Sequence, residues 1–343
     1  MKRDDVSEDR RLNPAIEAIG LTKRFPKAKS YRDALLRPFA RQETIALQDV
    51  FLTVNPGEIF ALVGPNGAGK TTLIKILSTL ILPTDGGAFI AGFDVKRDAN
   101  QVKKRIGCVV TEERSFYWRL TGRQNLGFFA VLNNLSKADA HSRVSQVIAL
   151  VDMERDADKM FKDYSTGMRH RLAISRALLT DPEIVLFDEP TRSLDPPSAE
   201  AIRRWMKAFV RREPIRTVLF ATHDLAEAET LAGRIAILDR GRIRACGTPG
   251  ELKETVRGKK QYNLKLRQPK ERVIERLTQL APSCRSTGDG APEYAAYVVE
   301  VRDPAEVSSI VRELVLAGAA VVECAAVTPS LHEVFDAVTS YSV

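Results

Sequence analysis

Cysteine is scarce in this chain of 343 residues. Cys108, Cys246, Cys284 and Cys324 form no Cys-x-x-Cys pair and no metal-ligand spacing. A disulfide framework and a zinc site are therefore excluded, and a reduced compartment fits best. Long apolar runs are also lacking. The longest, residues 314–327, is shorter than a bilayer span and is interrupted by Glu323, so no segment reads as a membrane-crossing helix. The chain opens on Met1-Lys2-Arg3-Asp4-Asp5 without an apolar stretch, which argues against a signal peptide; residues 1–14 are expected to fray. Internal repeats and low-complexity tracts are absent. Aromatic residues make up only 7% against 28% charged, an ordinary balance for a soluble protein.

A net charge of +8 permits attraction to nucleic acid or to an anionic membrane face. The basic residues are spread widely, however, as on a solvated surface, and no nucleic-acid partner is expected. The length suits one large domain plus a smaller one.

Against this background two separated stretches carry chemistry. Gly64-Pro65-Asn66-Gly67-Ala68-Gly69-Lys70-Thr71-Thr72 follows the apolar run 59–63 and matches the phosphate-cradling pattern. Its glycines let backbone N–H groups turn inward around phosphates. Lys70 would reach the β- and γ-phosphate oxygens, and Thr71 would offer a hydroxyl to Mg²⁺. A helix over 71–80 would point its positive end at the anion. More than a hundred residues later, Ile184-Val185-Leu186-Phe187-Asp188-Glu189-Pro190 reads as a buried strand that delivers two carboxylates to a sheet edge. Asp188 suits Mg²⁺, and Glu189 suits polarisation of an attacking water. Together the stretches imply an ATPase that uses ATP and Mg²⁺.

The rest of the pattern alternates strands and helices, an α/β chain. Strands are expected at 46–54, 59–63, 88–92, 106–110, 183–187, 217–221 and 235–238, the last feeding a hairpin through Asp239-Arg240-Gly241. A helical insert, about 114–166, should bury Leu126, Phe129, Ala130 and Leu132 on one segment and Val144, Val147, Ile148 and Val151 on the next. Beyond residue 250 a basic segment leads into strand, helix, strand, helix, strand, helix (261–267, 271–280, 295–301, 304–316, 319–327, 331–338). This predicts a small α+β domain over 253–343, after a first domain over 15–252.

Between the two nucleotide motifs, Tyr164-Ser165-Thr166-Gly167-Met168-Arg169-His170-Arg171-Leu172 precedes a helix ending near Asp181-Pro182. Ser165 and the amide of Gly167 at a helix start make an anion site. With the motifs in this order, residues 16–252 resemble the ATP-binding-cassette (ABC) ATPases. That resemblance implies a P-loop, RecA-like core with an antiparallel β subdomain and a helical insert. It implies that Ser165 and Gly167 close on the γ-phosphate held by a second copy, so that catalysis needs a homodimer. His223 corresponds to the histidine that contacts the γ-phosphate, and Asp195 in Ser193-Leu194-Asp195 to the loop crossing the dimer interface. Phe25 corresponds to the aromatic that stacks on adenine, although Tyr31 in the following basic insert could replace it. His141, His170 and His332 are expected to be structural.

The family's Mg²⁺- and partner-sensing Gln is replaced here by Thr111-Glu112-Glu113, leaving Thr111 or Glu112 for that position. Tyr164, Thr166 and Met168 are variants seen among exporters of drugs, lipids and polysaccharides. The ending Pro329-Ser330-Leu331-His332-Glu333-Val334-Phe335 is similar to the tails of stand-alone ATPase subunits of daunorubicin-type exporters. What the resemblance implies is a subunit on the cytoplasmic face of the membrane, driving a separate transmembrane permease. The alternative is a non-transport ABC ATPase acting on ribosome or nucleic acid. Phe116, Tyr117 and Trp118, flanked by Arg114, Arg119 and Arg123, either pack the helical insert or anchor the permease.

Overall fold

The computed structural model describes residues 13–26, 43–110, 116–255, 260–286, 293–301, 303–327 and 329–340. The chain divides into two compact units, Met1–Pro249 and Gly250–Val343.

The first unit is built on two sheets. One is antiparallel: β1 (Ile16–Pro26), β2 (Glu43–Val54), β4 (Asp85–Ile90) and β5 (Phe93–Asp94), in the order β2-β1-β4-β5. The other runs β10-β9-β3-β8-β7-β6, with β3 (Ile59–Val63), β6 (Ile106–Val110), β7 (Ile184–Asp188), β8 (Thr217–Thr222), β9 (Arg234–Asp239) and β10 (Arg242–Gly247). Every pair here is parallel except the β9–β10 hairpin. Continuous apolar sequence explains the central strands, since β3 and β8 are buried at every position and need apolar side chains on both faces. The hairpin turns on Arg240 and Gly241 with φ of 46° and 77°, the left-handed pair of a two-residue loop that follows the strand twist.

Strand β1 lies where the sequence pattern marks none. Its register against β2 shifts three times, and Gly20 takes φ 57°, so the period-two alternation of a strand is broken along it. Ala91 and Gly92, expected inside a strand, instead form a left-handed turn that folds β5 back on β4, with Ile90 opposite Phe93.

Helix α1 (Lys70–Leu77) follows β3, and α2 (Ala99–Arg105) precedes β6. The helical insert contributes α3 (Gly122–Leu132) and α4 (Lys137–Leu150). Thr121 and Gln124 close a capping box at the start of α3, at 3.1 and 2.9 Å, and Ser136 caps α4. Leu126, Ala130, Val144, Val147, Ile148 and Val151 are buried as the pattern requires. Leu132 is not: at 60% exposure it joins Phe128 and Val131 on an outer stripe at helical spacing. Helices α5 (Thr166–Ala177), α6 (Pro196–Val210) and α7 (Leu225–Leu231) complete this unit, and α8 (Pro249–Thr255) spans the division.

Gly122, the first residue of α3, meets Tyr164 closely. A Cβ there would lie 2.1 Å from the hydroxyl of buried Tyr164, which donates to the Asp156 carbonyl at 2.9 Å. Burial pushes that phenol up to about 12, keeping it a donor. Gly122→Ala is therefore expected to destabilise by about 1–3 kcal/mol through overpacking. Gly127→Ala on the same helix meets nothing within 4 Å and should instead stabilise by about 0.5–1 kcal/mol. Melting temperatures moving in opposite directions would test the contact.

The second unit is an antiparallel sheet in the order β12-β13-β11-β14, formed by β11 (Lys260–Arg267), β12 (Arg285–Ser286), β13 (Tyr294–Val301) and β14 (Ala320–Val327). Helices α9 (Glu271–Leu280) and α10 (Pro304–Leu316) share its core through Val273, Leu277, Val307, Ile310 and Leu314, against Leu264, Leu266, Val299 and Val301. Helix α11 (Leu331–Ser340) ends the described chain.

Candidate nucleotide site

The parallel register aligns the C-terminal ends of β3, β8, β7 and β6: Val63 lies opposite Thr222, Ala221 opposite Asp188, and Asp188 opposite Val110. Ligands of open α/β sheets bind at this edge. Three glycines of the loop after β3 are each required for a different reason. A Cβ on Gly64 would lie 2.1 Å from the Leu238 carbonyl oxygen, Gly67 takes φ 82°, and Gly69 takes φ 111° with the Ala46 carbonyl 2.5 Å from any added Cβ. Hydrogen bonds from the Gly241 amide to the Ala68 carbonyl (2.9 Å) and from the Gln48 amide to the Gly241 carbonyl (2.8 Å) tie the loop to both sheets.

Gly69 begins α1 with no side-chain cap and no acidic residue in the first turn. Among the described residues no side chain caps the first N–H groups of the helix, the arrangement an anion needs. They open on a cavity of about 260 Å³ lined by Asn66, Gly67, Lys70, Thr71, Asp188 and Glu189, with Ala46, Ala68, Gly69, Thr72 and Arg192 completing the wall.

Lys70 is 5% exposed. Its Nζ donates to the carbonyls of Gly64 (2.6 Å) and Pro65 (3.1 Å) and lies 3.9 Å from Glu189 Oε1. Desolvation holds its pKa below the ordinary lysine value; Glu189 and Asp188 pull it back up, and Arg192 adds to the lowering. Glu189 sits just past β7 at φ 55°, a left-handed conformation that costs a non-glycine residue about 1–3 kcal/mol and often marks functional sites. Its Oε2 accepts from His223 Nδ1 at 2.7 Å, and because a carboxylate only accepts, the contact puts a proton on Nδ1.

The residues of the loop, Asp188, Glu189 and His223 are thus brought together. Ser165 and Gly167 do not line this cavity. Ser165 caps α5, its Oγ accepting from the Met168 amide at 3.3 Å, while a Cβ on Gly167 would lie 2.5 Å from Ser198 Oγ. Asp195 is likewise outside the cavity and caps α6 by accepting from the Ser198 amide at 3.2 Å; hydrogen bonding from the Ser198 side chain, and then from its amide, holds the Asp195 carboxyl below the usual range. Phe25 stands at the end of β1 opposite Thr44, two-thirds covered, with the Lys23 ammonium 4.9 Å from its ring centroid, and it too is absent from the lining. Tyr31, Thr111, Glu112, Glu113 and Arg114 lie outside the described residues. Among the histidines expected to be structural, His170 is buried with Nδ1 3.2 Å from the Pro190 carbonyl.

Four neighbours of the site carry no sequence signal. Arg192 lines the cavity from the turn after Glu189, closed by the Arg192 amide donating to the Glu189 carbonyl at 3.3 Å. Thr191 and Thr222 both donate to the buried carboxylate of Glu227. None of these falls in a spaced motif.

The donor set fits a magnesium nucleotide. Mg²⁺ is commonly held by one or two carboxylates, a hydroxyl and the phosphates themselves, with no protein cage, and among the described residues no cluster of three metal-binding side chains occurs. Thr71 and Asp188 line the cavity and would offer such a hydroxyl and carboxylate.

Comparison with known proteins agrees with the geometry. Residues 47–192 match the family described as ABC transporter. The daunorubicin resistance ATP-binding protein DrrA3 of Streptomyces coeruleorubidus is 36% identical over 84% of this chain and 90% of its own length. DrrA of Streptomyces peucetius, a daunorubicin/doxorubicin resistance ATP-binding protein, is 35% identical over 87% of this chain and 89% of its own. Among solved structures, the dimeric post-hydrolysis state of the ATP-binding cassette MJ0796, bound to ADP and Pi, superposes with a TM-score of 0.58 at 26% identity, covering 68% of this chain and 98% of that one. With the phosphate loop, the paired carboxylates and the uncapped helix start in one cavity, the chain belongs to the ABC transporter family, as an ATPase subunit.

Proposed function

We propose that this chain hydrolyses ATP as the cytoplasmic, membrane-peripheral subunit of a drug-type export system, pairing with a second copy on ATP and driving a separate permease. The observation that carries the reading is the meeting of Lys70, Asp188, Glu189 and His223 at one sheet edge, in a chain that aligns along most of its length with drug-resistance ATP-binding proteins. No helix among the described residues is long and apolar enough to cross a membrane, so the passage would come from another chain.

In this reading the loop amides and the start of α1 bind the phosphates, and Lys70 exchanges the Gly64 and Pro65 carbonyls for phosphate oxygens. Thr71 and Asp188 would hold Mg²⁺, with Thr111 or Glu112 taking the sensing position. Bound Mg²⁺ supplies charge neutralisation on the phosphates. Glu189 orients and polarises the water, and His223, held by Glu189 through Nδ1, turns Nε2 toward the γ-phosphate. Phe25, or Tyr31 in its place, serves as the adenine platform. Ser165, Gly167 and Asp195 act on the nucleotide of the opposite copy.

For the permease contact, the aromatic cluster divides in two. Phe116 is buried against Phe129 and Phe161, with Arg176 over its ring at 4.8 Å. Tyr117 and Trp118 are about half exposed, and Tyr117 meets Phe128 at 4.8 Å, continuing the outer stripe of Val131 and Leu132. Trp118 also stacks under Arg169 of α5. An exposed aromatic stripe with arginine suits a protein interface. Trp118→Ala should therefore leave the isolated subunit folded with its basal ATPase, while co-purification with the permease and drug export fall. Loss of folding or of basal turnover would assign Trp118 to packing instead.

A further inference from the structure

Glu227 lies on α7, outside every motif, yet its side chain is only 1% exposed. Both of its carboxylate oxygens are engaged. Thr191 Oγ1 donates to Oε1 at 2.6 Å and Thr222 Oγ1 donates to Oε2 at 3.0 Å. Arg203 of α6 approaches Oε1 at 3.7 Å, while its other contact is Glu200 at 3.4 Å. A buried carboxylate is costly unless such partners satisfy it, so these contacts hold a defined geometry.

The two threonines belong to the two segments that carry the Glu189–His223 contact. Thr191 sits in the turn that leaves β7 just after Glu189, and Thr222 ends β8 immediately before His223. Between these segments the backbone gives the Glu189 amide to the Ala221 carbonyl at 2.9 Å, and Glu227 adds the side-chain bridge beyond it. Glu189 is held in a left-handed conformation, and its side chain must meet His223 at 2.7 Å. A small relative shift of the two segments would break that contact.

We propose that Glu227 is a positioning residue: by accepting one hydroxyl from each segment it locks the Glu189 turn to the His223 strand end. The inference rests on the roles given above to Glu189 and His223. It does not require Glu227 to touch nucleotide, and the cavity lining does not include it.

Glu227→Gln keeps the volume but cannot accept from both hydroxyls with both of its terminal atoms. It should lower kcat by about 10- to 100-fold, the scale of a misplaced reacting group, with KM and equilibrium ATP binding unchanged. Thr191→Val and Thr222→Val, which remove one hydroxyl each, should lower kcat in the same way, and Thr191→Ser and Thr222→Ser should restore it. These single-hydroxyl variants carry the test if Glu227→Gln folds poorly. In a Glu189→Gln background, Glu227→Gln should cause no further loss of residual turnover, because groups acting through one another are not additive. The proposal is overturned if Glu227→Gln lowers the melting temperature while turnover per folded molecule is unchanged, or if its effect adds fully to that of Glu189→Gln. Normal turnover in Glu189→Gln alone would instead overturn the assignment of the base, a separate outcome.

Discussion

Glu189→Gln is expected to bind ATP as tightly as the unaltered chain and to hydrolyse it about 10²-fold more slowly or worse, the scale of a lost general base. The reasoning starts from the two oxygens of Glu189. One faces Lys70 at 3.9 Å and the other holds His223 at 2.7 Å, so the carboxylate sits between the buried Lys70 ammonium and the end of β8. Glutamine keeps the shape and one accepting oxygen but loses the basicity and the charge. Binding should survive because the loop amides and Lys70 do not depend on Glu189: Lys70 Nζ already has the Gly64 and Pro65 carbonyls as partners. Removing the negative charge beside Lys70 also strengthens the local field for phosphate. Lys70→Ala is the complementary change, since it deletes the buried cation and should weaken nucleotide binding itself. Fluorescent-nucleotide titration and single-turnover hydrolysis, run on both variants, separate the two effects. Near-normal hydrolysis by Glu189→Gln would show that another group activates the water.

What the sequence made visible follows physical lines. Strands β3, β7 and β8 could be read because burial on both faces demands continuous apolar residues. The phosphate loop could be read because only glycine tolerates the φ of Gly67 and Gly69 and the close approach at Gly64. Strand β1 escaped because three register shifts scramble its alternation. Leu132 is exposed because it shares the outer stripe of Phe128 and Val131, opposite buried Leu126 and Ala130, so apolar character alone misplaces it. At the site, Arg192 and Glu227 were invisible for one shared reason: their importance lies in which segments the fold brings beside them. A glutamate on a seven-residue helix is ordinarily a solvated charge, and only the threonine hydroxyls of β8 and the Glu189 turn distinguish this one. The same limit applies to Phe116, Tyr117 and Trp118, where neighbouring aromatics divide between core and surface.

The second large effect concerns assembly. With ATP and Mg²⁺, the slow Glu189→Gln protein should form a dimer detectable by light scattering, and adding Ser165→Arg should return it to a monomer. Ser165 stands at the start of α5, a helix of 12 residues, and takes no part in the cavity of its own chain. If the start of α5 binds phosphate as proposed, its absence from the lining of the local cavity leaves it the nucleotide of another molecule. Arginine at position 165 would put a long cation at the positive end of the helix and remove the cap on Met168, costing the fold about 1–2 kcal/mol. That loss is small enough for the subunit to stay folded, whereas the bulk in an interface built around a phosphate should abolish pairing. Ser165→Ala serves as the control, since it drops the cap without adding bulk and should only weaken the dimer. Melting curves would show all variants folded. If Glu189→Gln saturated with ATP and Mg²⁺ keeps the mass of a monomer, or if Ser165→Arg still dimerises, the start of α5 does not complete a partner's site.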